Sequence, residues 1–280
     1  MHDPRIEKFL TALRVADQYP PLSDAKLDQL GVPDHVVVVE EADEIVAIGA
    51  TAAHRHTDGS QHWAVETAVT PGLRFPAFED HALQLALELV PAGEDLSVWS
   101  RRSSLSDALE RSDFALTREL AHYVVDLPLK RSSTDSMPGP FRNQDTEALL
   151  AVNREAFAGH REASALDEDQ FARLAEESWF DPSGLLLHRE DDELVAFCWT
   201  RVHPDGDGEI YRIAVAPGAQ GTGVGRSLVI AGFEHLSRNP EVMRGTLWVD
   251  LANRRAVSMY QNLGMTEESV NREYQKHSER

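Results

Sequence analysis

The sequence predicts an α/β (α+β) protein built from two tandem copies of one fold, each a mixed central sheet flanked by helices. Three observations carry this prediction. Strand-like apolar runs alternate with helical ones along the chain. A polar seam rich in Ser and Pro, Leu129-Lys-Arg-Ser-Ser-Thr-Asp-Ser-Met-Pro-Gly-Pro140, divides the 280 residues nearly in half. Blocks on one side of that seam return on the other side in the same order.

In each half a hairpin comes first. Val37-Val-Val-Glu-Glu-Ala-Asp-Glu-Ile-Val-Ala-Ile-Gly-Ala-Thr51 and Leu186-Leu-His-Arg-Glu-Asp-Asp-Glu-Leu-Val-Ala-Phe-Cys-Trp-Thr200 both read as strand, acidic turn, strand. Asp43-Glu44 matches Asp192-Glu193, and Val46-Ala47 matches Val195-Ala196. A third strand follows, Glu66-Thr-Ala-Val-Thr-Pro71 against Arg212-Ile-Ala-Val-Ala-Pro217, at an offset three residues shorter. Further on, Leu96-Ser-Val-Trp-Ser faces Leu247-Trp-Val-Asp more loosely. Helices are predicted over Thr146–Ala158, Glu168–Glu177, Gly225–Leu236 and Arg254–Leu263. The expected organisation is a first domain over 1–130, a linker over 131–139 and a second domain over 140–280.

Composition narrows the function. Against 27 basic side chains stand 47 acidic ones, a net charge of −20. Such a surface repels phosphate backbones and anionic bilayers, which excludes nucleic-acid and membrane-surface binding as expected roles. A single cysteine, Cys198, forms no intramolecular disulfide and suits a reducing compartment. No signal-like leader or long apolar run is seen, so the expectation is a cytoplasmic protein; a monomer is expected. His54, His56 and His62 lack the Cys or carboxylate partners of a metal set, and no metal is expected. Thr57–Ser60 reads as a hairpin turn, and 167–177 as a solvated acidic face.

The most informative segment follows the third strand of the second half. Val215-Ala-Pro217 ends the strand, and Gln220-Gly-Thr-Gly-Val-Gly225 opens a helix. Glycines let backbone N–H groups converge, and a helix N-terminus adds partial positive charge. Together they can hold a pyrophosphate without many basic side chains, which matters at this net charge. No Gly-Lys-Ser/Thr follows, so the loop is not that of a P-loop nucleotidase, and its late position after a hairpin does not suit a dinucleotide fold.

At these residues the chain resembles the GNAT superfamily of N-acetyltransferases. Gln220–Gly225 after Val215-Ala-Pro217 is similar to its acetyl-CoA motif. Asn253-Arg-Arg-Ala-Val-Ser-Met-Tyr-Gln-Asn-Leu-Gly-Met265 is similar to its later motif. Ala156-Phe-Ala-Gly-His160, Trp179-Phe-Asp-Pro-Ser-Gly184, Trp199-Thr-Arg-Val-His-Pro204 and Gly208-Glu-Ile-Tyr211 resemble the mycothiol synthases, a tandem family within that superfamily. The likeness is specific over most of 140–280 and is mainly one of layout over 1–130. It implies two GNAT-type acyltransferase domains. It also implies direct acetyl transfer from acetyl-CoA to the cysteine amine of cysteinyl-glucosaminyl-inositol.

Acetyl transfer needs a neutral amine, donors for the developing oxyanion, a proton for the leaving thiolate and close approach of the reactants. Glu209, at the start of the strand before the loop, can accept the amine's proton. The resemblance puts the general acid for the sulfur at Tyr260, a chemically suitable donor. It puts acetyl-CoA on Ile213, Ala214 and Val215, on Gln220, Gly221, Thr222, Gly223, Val224, Gly225 and Arg226, and on Asn253, Arg254, Arg255, Ala256, Val257 and Ser258. It points to Asp24, Glu162, Arg201, Glu209 and Trp248 for the second substrate. Asp24, Arg201 and Trp248 depart from the family's commonest residue (Glu, Lys and Tyr), although charge survives in the first two.

The first half keeps the layout and loses the motif. Gly72-Leu-Arg-Phe-Pro-Ala-Phe-Glu-Asp80 has no glycines after Arg74, and Leu109 falls opposite Tyr260 in the repeat. The first domain is therefore expected to be non-catalytic and to wall the substrate cleft. Two other readings stay open from sequence: an N-acetyltransferase for another small amine or peptide N-terminus, and a CoA-binding regulatory module without turnover.

Overall fold

The structure is a computed structural model. It describes residues 3–276 apart from 18–20, 28–29, 31, 56–60, 71–75, 102–104, 106–108, 131–137 and 159–165. The expected hairpin turn at Thr57–Ser60, most of the linker and Glu162 lie outside the described residues. In chain order the elements are α1 (Pro4–Asp17), α2 (Asp24–Leu27), β1 (Val36–Glu41), β2 (Glu44–Arg55), β3 (Gln61–Val69), α3 (Pro76–Glu88), β4 (Asp95–Ser100) and β5 (Phe114–Asp126). They continue with β6 (Gly139–Pro140), α4 (Thr146–Ala156), α5 (Glu168–Ala175), β7 (Leu185–Glu190), β8 (Glu193–Val202) and β9 (Asp207–Val215). The last are α6 (Val224–Leu236), β10 (Arg244–Asp250), α7 (Arg254–Asn262) and β11 (Thr266–Lys276).

The chain forms two compact units, Met1–Glu119 with Asn271–Arg280, and Leu120–Val270. Strand β5 begins in the first and ends in the second, and β11 makes the return. In the first unit β1, β2 and β3 pair antiparallel, β3 and β4 run parallel, and the end of β11 closes antiparallel on β4. In the second unit β6, β7, β8 and β9 pair antiparallel, β9 and β10 run parallel, and β10 pairs antiparallel with the end of β5. Each half thus contributes its last strand to the other unit's sheet.

The duplication is visible in backbone detail. The turns of the two hairpins hold Ala42 and Asp43 at φ 49° and 66°, and Asp191 and Asp192 at φ 49° and 67°. Two successive left-handed residues form the tight turn whose twist matches the flanking strands, and Asp tolerates that region well. The register slips after Val39 in one hairpin and after His188 in the other, which leaves Val46 and Val195 as the extra residues.

Both faces of the second sheet are buried. On one, α6 supplies Val224, Leu228, Val229, Ile230 and Phe233 against Cys198, Ile210 and Leu247. Gly232 lets this helix close on β8, because a Cβ there would lie 2.9 Å from Cys198 Sγ. On the other, Leu149 and Val152 of α4 and Phe171 of α5 pack on Leu185, Phe197 and Trp199. Asp167 caps α5, its Oδ1 accepting from Gln170 N–H at 2.7 Å. Among the described residues no helix is long and apolar enough to cross a membrane.

The first unit buries a charge pair. Glu66 of β3 accepts from Ser23 N–H at 2.7 Å and meets Lys26 Nζ at 3.3 Å, with both side chains nearly inaccessible. Burial opposes ionisation of Glu66, but Lys26 and the Ser23 bonds outweigh it and hold its pKa below the ordinary value. A depressed pKa stabilises the fold above the unfolded value, and that contribution is lost as pH falls through the folded one. Lys26→Ala strands the carboxylate and should cost about 3 kcal/mol at neutral pH, read by urea unfolding. The deficit relative to wild type should shrink in acid, once Glu66 is protonated in both proteins.

Candidate active site

The site is built where β9 and β10 separate. These parallel strands pair only at Asp207–Arg244, Gly208–Gly245 and Glu209–Thr246. On its other edge β9 stays paired with β8 as far as Val215, with a register shift between Trp199 and Thr200 that makes Tyr211 the extra residue. A bulge of this kind bends a strand and re-aims its side chains. Ala216 N–H donates to Val195 O at 2.8 Å. By the alternation of an antiparallel ladder, the N–H and C=O groups of Ile213 and Val215 then point away from β8, toward the opening. Gln220 Nε2 donates to Val215 O at 3.1 Å, so one of these groups is met by a side chain of the glycine loop.

The loop itself is a short 3-10 turn, Pro217–Ala219, followed by Gly221 at φ 94° and Gly223 at φ 98°. Left-handed residues placed alternately turn successive N–H groups to one side and make a concave anion site, which here runs into the free N–H groups of the first turn of α6. Thr222 Oγ1 braces the loop by donating to Ala219 O at 2.8 Å. Arg255 of α7 brings positive charge to it, its Nη2 lying 3.0 Å from the point where a Gly221 Cβ would stand. Asn253 Oδ1 accepts from Ala256 N–H at 3.1 Å and so fixes the start of α7.

The polar side chains take opposite faces of the sheet. Arg201 is the register partner of Glu209, Glu209 of Thr246, and Trp248 lies two residues beyond Thr246. Side chains alternate along a strand, so Arg201, Glu209 and Trp248 share one face. Tyr260 belongs to the core on the α6 face, beside Cys198. Burial, with Cys198 next to it, pushes the Tyr260 phenol well above its ordinary pKa. Burial alone pushes the Cys198 thiol up to about 12, so Cys198 is an inert packed side chain.

Several side chains that sequence reading passed over position these residues. Glu209 Oε2 lies 2.8 Å from His203 Nε2. The Arg201 guanidinium sits over Trp179 at 4.7 Å and over Tyr211 at 5.8 Å, against two neighbouring aromatic rings. Trp248 stacks on His122 at 4.7 Å, and His122 Nδ1 meets Glu268 Oε2 at 3.0 Å. Arg244 joins Glu268 Oε1, at 2.7 Å, to Asp207, at 2.9 Å through Nε. Only cross-strand pairing reveals most of these contacts; the spacing of His203 and Glu209 about a Pro-Asp-Gly turn is the one local signal. Asp24 is the first residue of α2, in the first unit.

Residues 148–265 match the Acetyltransferase (GNAT) family. The fold resembles that of a GCN5-related N-acetyltransferase from Sphaerobacter thermophilus, with TM-score 0.69 at 20% identity over 97% of this chain and 91% of that one. It also resembles a tandem GNAT protein from the clavulanic acid biosynthesis pathway, with TM-score 0.65 at 16% identity over 98% and 94% of the two chains. Fold and family together define an acyltransferase of the GNAT class. In sequence, the chain is 35% identical to a mycothiol acetyltransferase of Thermomonospora curvata over 98% of its own length and 94% of the relative's. It is 34% identical to one of Saccharopolyspora erythraea over 84% of each. The chain belongs to the mycothiol acetyltransferase family.

Because the phenol is buried, Tyr260 should stay un-ionised beyond the range where exposed tyrosines titrate. An ultraviolet difference titration of wild type against Tyr260→Phe should show no phenolate signal from this residue until alkali unfolds the protein.

Proposed function

We propose that the second unit binds acetyl-CoA along the opened edge of β9 and transfers its acetyl group to the cysteine amine of cysteinyl-glucosaminyl-inositol. The observation that carries this reading is the conjunction of a strand edge facing the gap, a left-handed glycine loop at its end, and Glu209 and Tyr260 on opposite faces of the sheet. The backbone of Ile213–Val215 would bond the amides of the pantetheine arm. The loop from Gln220 to Arg226 would hold the pyrophosphate through main-chain N–H groups, with Arg255 as a nearby counter-charge. Residues 253–258, at the head of α7, would meet the distal part of the nucleotide. This division suits a chain of net charge −20, since main-chain donors bind phosphate without a basic surface.

Glu209 takes the proton that leaves the ammonium, and Tyr260 gives one to the departing thiolate. A phenol kept protonated by burial is ready for that task. Arg201 and Trp248 share the Glu209 face and present a guanidinium, an indole face and an N–H to a polyhydroxylated acceptor. Asp24 and Glu162 are proposed as further acceptor residues on the family resemblance alone.

The first domain, over 1–130, is proposed to be non-catalytic and the linker to span 131–139, with the second domain over 140–280. Two features support the loss of chemistry. Leu109, buried in the first core, stands at the repeat position of Tyr260. The cleft of the first unit is lined by the carboxylates Glu66 and Glu79 beside Trp99 and Arg101, a poor match for a pyrophosphate. The protein is proposed to act as a cytoplasmic monomer.

The test is to incubate the protein with acetyl-CoA and cysteinyl-glucosaminyl-inositol and to follow free CoA. Release is expected; turnover only with other amines would remove the acceptor assignment, and binding without turnover on any amine would point to a regulatory module. Tyr260→Phe should lower kcat about a hundredfold while acetyl-CoA affinity changes by less than about threefold. Gly221→Val puts a branched side chain at φ 94° and against Arg255, and should raise the KM for acetyl-CoA about tenfold or more.

A further inference from the structure

The proposed reaction makes a strict demand on one carboxylate. As the C–N bond forms and the thioester C–S bond breaks, the ammonium nitrogen gives up two protons. One ends on the CoA sulfur by way of Tyr260, and the other passes to Glu209 and then to solvent. For this, one oxygen of Glu209 must face the ammonium at each turnover, and the group must begin as a carboxylate.

His203 meets the first of these needs. Its Nε2 lies 2.8 Å from Glu209 Oε2, and the two side chains are only 17% and 12% exposed. An ionised carboxylate can only accept hydrogen bonds, so Nε2 carries the proton and donates it. A donor on Oε2 fixes the plane of the group, which leaves Oε1 for the substrate.

The main chain of His203 is itself held by a closed turn. His203 N–H donates to Asp207 O at 2.8 Å, and Gly206 N–H donates back to His203 O at 2.9 Å. Asp205 Oδ1 accepts from Asp207 N–H at 3.2 Å, and Asp207 is clamped by Arg244. The turn between β8 and β9 thereby sets the place of the His203 main chain independently of Glu209.

We propose that His203 is a positioning residue for the acetyl transfer, acting through Glu209 by donating from Nε2 to Oε2 so that Oε1 is presented to the acceptor amine. The proposal rests on the reading of Glu209 as the group that takes the amine's proton.

A double-mutant cycle on the full-length protein separates the two claims. With acetyl-CoA and cysteinyl-glucosaminyl-inositol, His203→Ala should lower kcat about tenfold, the worth of a hydrogen bond to a charged group, with the KM for acetyl-CoA unchanged. His203→Gln, which retains an N–H donor, should recover kcat to within about threefold of wild type. In a Glu209→Gln background, His203→Ala should cost nothing further. A loss of equal size in both backgrounds would overturn the positioning role while leaving Glu209 in place, as would full activity of His203→Ala. Wild-type turnover by Glu209→Gln would instead overturn the reading of Glu209. Urea midpoints of the single variants, expected near wild type, show that the lost rate is not lost folding.

Discussion

The structure depends on a parallel strand pair that stops after three residues. Past Glu209 and Thr246, β9 and β10 no longer share a ladder, so peptide groups in mid-sheet face a gap. Main-chain donors and acceptors are not left dry without cost, and such an edge calls for water, a side chain or a ligand. Gln220 answers in part by bonding Val215. The bulge at Tyr211 bends β9 above the gap, and Pro217 ends the strand so that the glycine loop begins at its mouth. Each of these features is intelligible as a means of keeping two neighbouring strands apart at one end.

The two halves differ in this respect more than in their folds. In the first, β2 and β3 pair without a register shift from Ala47–Val69 to Arg55–Gln61, and β3 and β4 stay together for five residue pairs. Where the second half has Arg212 in its third strand, the first has Glu66, bonded to Lys26 and Ser23. The cleft that remains there is lined by carboxylates, Glu66 and Glu79. One copy keeps a strand edge available, and the other spends the same positions on stability.

Much of the fold could be read from residue pattern. The hairpins at 37–51 and 186–200, the four helices of the second half and the glycine turn all carry local signals, and the helix ends fall within two residues of those expected. The reach of the last strands could not be read, because β5 and β11 keep the same alternation whichever sheet receives them. The candidate site divides in the same way. The loop and the α7 motif are contiguous in sequence and were visible there. The aromatic contact of Arg201 joins Trp179 and Tyr211 from separate elements, and the support of Trp248 comes from His122 and Glu268, so neither has a spacing to recognise. The first unit's counterpart of the glycine loop lies largely outside the described residues.

The crossing of β5 and β11 bears on how such a duplicated chain can change with time. Each half contains a segment that completes the other's sheet, so neither is a self-sufficient module that could be lost or replaced as a block. A copy whose chemistry decays is still retained, because its terminal strand is a structural part of the working one. On the proposal that the first half is non-catalytic, its persistence needs no function of its own to explain it.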